Sequence, residues 1–193
     1  MPTEAAAPPR DRLTPSVDRA VSSMRFPQAG IAFLRIVVGV WFLKSLFTKI
    51  AIGLAWGVIP VPTASGRWMH VMPILLTKYA AENPILPYRA FLQHTVIPNA
   101  HIFAPFTALG EVAVGIGLTF GFLTVPAALF GAIQVIFYGL AVQHMSSGQQ
   151  GFHVMLFAMM ITFLFTRAGR FFGVDGWVRS RYPDSLYARL PLS

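Results

Sequence analysis

The chain contains no cysteine, which excludes disulfides, thiol chemistry, cysteine-ligated zinc and iron–sulfur clusters and leaves no mark of a redox compartment. Charge is scarce too: 11% of residues are Asp, Glu, Lys or Arg, against about 25% in ordinary soluble domains. Seven residues are acidic, and from Val112 to Thr166 there is no charged residue at all. The first 28 residues lack the apolar stretch of a signal peptide, so the first membrane helix is expected to act as its own insertion signal. No internal repeat or low-complexity tract is present. The glycines of "GEVAVGIG" follow no strand and precede no phosphate-binding helix, which excludes a nucleotide loop. The five histidines, His70, His94, His101, His144 and His153, contain no pair at helical metal-ligand spacing and no accompanying carboxylate, so a metal or haem site is not expected.

What is present is apolar. Hydrophobic residues make up 55% of the chain and its mean hydropathy is +0.60, a membrane protein's composition. Since about 20 residues cross a hydrocarbon core, four spans are predicted, near 30–58, 104–122, 125–143 and 151–167. Breaks at "FLTVP" and "QHMSSGQQG" separate the last three, with Pro126 in the first turn of the third. The net charge of +8 is gathered at the two ends and in one loop, which argues for orientation in a membrane rather than for nucleic acid. Arg10, Arg12, Arg19 and Arg25 precede the spans; Arg167, Arg170, Arg179, Arg181 and Arg189 follow them. By the positive-inside rule both termini are expected in the cytoplasm. The expected fold is thus an all-α integral membrane protein, an antiparallel four-helix transmembrane bundle in a bacterial plasma membrane. Its parts would be a cytoplasmic arm (1–28), the membrane domain (29–178) and a cytoplasmic tail (179–193).

Within the arm, Thr14 as N-cap and Pro15 at the first helical position predict a short interfacial helix. The outer loop, 59–103, holds two amphipathic patterns. "RWMHVMPILLTKYA" predicts a helix kinked at Pro73, and "PYRAFLQHTVIP" a shorter one, both over the outer mouth of the bundle.

Glu111 is the anomaly, because a carboxylate in such surroundings needs a proton or a cation. On the first span Arg35, Gly39, Phe42, Leu46 and Lys49 share a stripe at 100° per residue, with Lys44 nearly opposite. Glu111, Gly115 and Leu118 share one on the second, and Gly117 with Gly121 offers a small-residue approach. The expected buried polar site is Arg35, Lys49 and Glu111. Arg35 is the favoured partner, Lys49 a substitute or third member and Lys44 an alternative. The pair either sets helix register or handles a proton or polar head group, with Phe42, Gly39, Gly115 and His153 as candidate quinone or ligand-lining residues. Trp41, Trp56 and Trp177 are read as interface markers, although Trp41 is deep for that role.

"LRIVVGVWFLKSLFTKI", with Arg35, Gly39, Phe42 and Lys49, "LGEVAVGIGLTFGFLT" and "TRAGRFFGVDGWV", with Arg170 and Asp175, resemble the signature segments of DoxX-type membrane proteins. The loop "NPILPYRAFLQHTVIPNAHIF" is most similar to the DoxD-like branch, associated with the small membrane subunit of thiosulfate:quinone oxidoreductase. The resemblance covers roughly residues 30–178. It implies a partner subunit of a quinone-linked redox complex, with other membrane or membrane-associated subunits as partners, quinone as the possible cofactor and none bound covalently. The alternative is a non-catalytic scaffold or assembly subunit, or, less favoured, a small-solute permease.

Overall fold

A computed structural model describes residues 15–189; the arm before Pro15, Thr14 included, and the last four residues of the tail lie outside it. The elements are α1 (Pro15–Thr48), β1 (Ile50–Ala55), β2 (Ile59–Ala64), α2 (Gly66–Ala81), α3 (Leu86–Phe91) continued by a π-helical turn (Leu92–Val96), α4 (Ala100–Phe120), α5 (Thr124–Val142), α6 (Ser147–Thr166), a 3-10 turn (Ala168–Arg170), α7 (Val174–Arg181) and α8 (Leu186–Arg189). Among the described residues four helical segments are long and apolar enough to cross a membrane: Pro27–Thr48 of α1, α4, α5 and α6. The chain is therefore a multi-pass membrane protein built on a helical bundle.

The arm's helix is not a separate one: from Pro15 onward the described chain is helical and runs into the first span without a break, with Pro27 inside it. The other end of that span differs from the prediction. Helix α1 stops at Thr48, and the residues expected to continue it form the hairpin of β1 and β2, registered from Ile50 opposite Ala64 to Ala55 opposite Ile59. Trp56 (φ 51°) and Gly57 (φ 76°) turn the chain in the left-handed region, which a helix cannot accommodate. Pro60 and Pro62 lack the N–H a helix needs; two residues apart, they place both gaps on one edge of the ribbon.

Close approach between helices rests on glycine. A side chain at Gly39 of α1 would collide with the backbone of Thr119 on α4, and one at Gly115 of α4 would lie 2.7 Å from the amide nitrogen of Leu43 on α1. Of the expected small-residue pair, Gly117 faces Ala127 of α5 instead, while Gly121 faces the Arg35 side chain of α1 and the backbone of Gly173. The bundle core comprises Val38 and Phe42 from α1, Val114 and Leu118 from α4, Ala128, Ala132 and Val135 from α5, and Leu156, Met160 and Phe163 from α6.

A second apolar cluster joins α2, the π turn and α4 through Met72, Ala80, Leu92, Val96 and Ala104. This layer is held onto α5 by polar bonds. Wholly buried Asn83 donates to the carbonyl of Leu140 (2.8 Å), and the Tyr88 hydroxyl donates to that of Phe137 (2.7 Å).

Candidate functional site

Glu111 lies on α4, and its partner is Lys49. The Nζ of Lys49 donates to both carboxylate oxygens, at 2.7 and 2.8 Å. The hydroxyl of Tyr138, on α5, donates to Oε1 at 2.7 Å. Glu111 is 7% exposed, so the three charge-assisted bonds replace the water it gives up.

Local folding explains why Lys49 can reach it. The amide of Lys49 makes a last helical bond to the carbonyl of Ser45 (2.8 Å), while its own carbonyl accepts from the amide of Ser65 (2.7 Å), closing the hairpin base. Ser65 then caps α2, its hydroxyl accepting from the amide of Trp68 (3.2 Å). That cap places the Trp68 ring over the Lys49 ammonium, 4.1 Å from the ring centroid, a position that stabilises a cation. The Trp68 indole donates to the Ala104 carbonyl (3.1 Å), which fixes the ring.

Arg35, the favoured partner from the sequence, is elsewhere. Fourteen residues separate it from Lys49 along α1, about 21 Å at 1.5 Å per residue. Gly39 against Thr119 and Gly115 against Leu43 place Arg35 beside the last turn of α4 rather than beside Glu111. There the wholly buried guanidinium donates to the carbonyls of Leu118 and Thr119 and to that of Phe172 (3.1 Å). These are the carbonyls a helix end and the turn after α6 leave without partners, and a cation there is also favoured by the helix dipole. Asp175, equally buried, performs the converse task at the start of α5. It accepts from the amides of Leu123 (2.8 Å) and Thr124 (3.0 Å) and from the Tyr187 hydroxyl. Gly169 faces Thr124 and Asp175, and Gly173 faces Gly121, leaving no space for side chains.

The Lys49–Glu111–Tyr138 group borders a cavity of about 410 Å³ between α1, α4, α5 and α6. Trp41, Phe42, Phe152 and Leu156 supply apolar wall; Lys44, Ser45 and His153 add polar groups. A wider vestibule of about 570 Å³, with Tyr79, Ser146 and Gln149, shares Trp41, Phe152 and His153 with it. Of the candidate lining residues, Phe42 and His153 border the cavity. Gly39 and Gly115 do not, because helix–helix contact occupies them. Lys44 stands at the wall with its ammonium 5.1 Å from the Trp41 ring centroid, and Trp41 packs on Phe152 at 5.7 Å. Trp41 thus belongs to the cavity wall as well as to the bundle surface.

His153 contacts the carbonyl of Gln149 through Nδ1 at 2.8 Å. A carbonyl only accepts, so Nδ1 carries the proton, and in the neutral ring Nε2 is left as an acceptor. Lys49 uses two of its three N–H donors on Glu111, and the carboxylate retains unused lone pairs. The site therefore offers a spare donor beside a spare acceptor in a partly apolar chamber. Two of its members, Tyr138 and Trp68, were not among the residues expected in the polar site. No protein-family model, curated protein or solved structure matches the chain.

Proposed function

We propose that this protein is the membrane subunit of a quinone-linked redox complex, similar in kind to the DoxD-like subunits of thiosulfate:quinone oxidoreductase, and that the cavity above Glu111 receives the quinone head group. The observation that carries this reading is the hydrogen-bonded Lys49–Glu111–Tyr138 group at the wall of a cavity of about 410 Å³ flanked by aromatic rings. Converting a quinone to a quinol takes two electrons and two protons at its two oxygens. Electrons come from a redox centre in a partner subunit. The remaining Lys49 donor holds one quinone oxygen while Tyr138 steadies the Glu111 carboxylate. Two protons enter from the vestibule, one taken up by Nε2 of His153 and one by that carboxylate, and each is handed on to one of the two quinone oxygens.

In this reading α1, α4, α5 and α6 form an antiparallel bundle in a bacterial plasma membrane. Contacts that climb α1 from Gly39 to Lys49 while descending α4 from Thr119 to Glu111 support it. The arginine-rich ends support a cytoplasmic position for both termini, with the hairpin, α2 and α3 on the outer side. The test is quinone reduction by the intact complex with Glu111→Gln. Normal assembly with turnover reduced at least tenfold is expected; unchanged turnover removes Glu111 from the chemistry.

One observation favours a second reading, a scaffold without turnover. Helix α6 is the least covered of the four, with 17% of its apolar window buried, and an apolar groove of about 210 Å³ runs between it and α1. A scaffold would copurify with a stoichiometric partner in mild detergent, and no cavity substitution would change that partner's turnover.

A further inference from the structure

A second cavity, of about 160 Å³, lies under the α2–α3 layer, separated from the first by Tyr138, which borders both. Its wall is almost wholly apolar, with Phe91, Phe103, Phe106, Phe130 and Phe137 contributing aromatic surface. Phe106 meets Phe130 edge-on at 5.6 Å. Phe106 and Phe137 are also exposed on the bundle surface, at 58% and 43%, so this wall continues into the face that meets lipid.

Gln134 breaks the pattern. It is 5% exposed and borders the cavity. Its Nε2 donates to the Thr107 carbonyl at 3.3 Å. That carbonyl can only accept, so the amide cannot be turned the other way. The amide oxygen is left buried with no donor. A buried acceptor without a partner calls for one, and the other polar side chains of the wall, Tyr88, Thr107 and Tyr138, spend their hydroxyl protons on other protein groups and offer it none. The space is close to the roughly 150 Å³ that admits one benzene ring in an apolar protein cavity.

We propose that this cavity binds a neutral, singly hydroxylated aromatic ring with an apolar tail, an alkylphenol in chemical class. Its hydroxyl donates to Oε1 of Gln134, its ring lies among the phenylalanines, and its tail leaves past Phe106 and Phe137 into the bilayer. With no charged side chain in the wall, and with the hydroxyls of Tyr88, Thr107 and Tyr138 already donating to other protein groups, the cavity disfavours ions and rings with two buried hydroxyls. This site uses residues other than Lys49 and Glu111 and stands whether or not the first cavity takes a quinone.

The experiment follows fluorine NMR of ring-fluorinated 4-hexylphenol added to the full-length protein in lipid nanodiscs. Hexylbenzene and hexylhydroquinone, fluorinated likewise, are compared with it. Saturable binding of the phenol is expected, at least tenfold weaker for Gln134→Leu, as befits loss of one hydrogen bond. Hexylbenzene should bind both proteins equally, and hexylhydroquinone more weakly than the phenol. Ala141→Phe, which fills the cavity from α5, should abolish saturable binding, while Glu111→Gln should leave it unchanged. Each protein is first required to elute as the parent does on gel filtration. Equal binding of phenol and hexylbenzene, tighter binding of the hydroquinone, persistence in Ala141→Phe, or loss in Glu111→Gln would each overturn the proposal.

Discussion

Two buried charge systems sit at opposite ends of the bundle, and they differ in what their hydrogen bonds reach. At the end where α4 turns into α5, Arg35 and Asp175 spend their bonds mainly on backbone, the guanidinium on carbonyls and the carboxylate on amides. At the other end, Lys49, Glu111 and Tyr138 bond to one another, side chain to side chain, beside a cavity. The first arrangement closes a turn that the backbone alone leaves with unpaired groups. The second leaves a donor and an acceptor unspent where a small molecule can reach them. Burial is common to both, so burial alone does not distinguish them; the bonding partners do.

The comparison breaks most visibly at Arg35. Arg35→Ala uncovers several buried carbonyls, with an expected loss on the order of 3–5 kcal/mol, read as a lower melting temperature in detergent and reduced membrane yield. Arg35→Lys should rescue little, because an ammonium lacks the planar fork that reaches two elements at once. If Arg35→Ala melts like the parent while losing turnover, the two ends have been assigned the wrong way round.

Glu111→Gln comes next and moves the opposite readout. A neutral amide keeps the shape and part of the bonding, so assembly should persist. Quinone turnover should fall at least tenfold, equivalent to about 1.4 kcal/mol in the barrier. Tyr138→Phe is the milder partner of this change. It removes one bond to a charged acceptor, worth about 1.5–3 kcal/mol, and should lower turnover without dislodging Lys49. A double-substitution cycle on Lys49→Met and Tyr138→Phe measures how far the two donors act as a unit. Strict additivity in turnover would mean that they do not.

How much of this was legible in the sequence differs between the two ends. Apolar runs of the right length announce the four spans, because crossing a membrane constrains composition directly. That Glu111 needed a proton or a cation was equally legible. Which cation was not: Arg35 and Lys49 share one stripe of α1, and periodicity fixes a face but not the depth at which two helices meet. Gly39 against Thr119 and Gly115 against Leu43 set that depth, and these contacts exist only in three dimensions. The hairpin was missed because "IAIGLAWGV" is apolar enough to pass for the end of a helix. Pro60, Pro62 and the Trp56–Gly57 pair were the available signals against it. Trp68 and Tyr138 came from segments read for their apolar faces, which conceals an indole and a hydroxyl that act through polar or charge contacts.

The smallest predicted effect distinguishes the closed end by pH. Burial, assisted by the bond to Asp175, pushes the Tyr187 phenol from its usual 10.0 up to about 12. Its ring stacks on Phe122 at 6.1 Å. A group whose folded pKa lies above its unfolded value contributes stability that is fully present below the unfolded value and is lost as pH rises through the folded one. Stability should therefore be flat up to about pH 10 and fall between about pH 10 and 12. Tyr88, pushed up to about 12 by burial in the α2–α3 layer, falls in the same window from the opposite end of the bundle. The two are separated by substitution: Tyr187→Phe should remove its share of the alkaline slope and lower the melting temperature slightly at neutral pH, and Tyr88→Phe should remove the other share. If Tyr187→Phe leaves the slope of melting temperature against pH untouched, its phenol already titrates normally, and the latch between α8 and Asp175 adds nothing to the closed end.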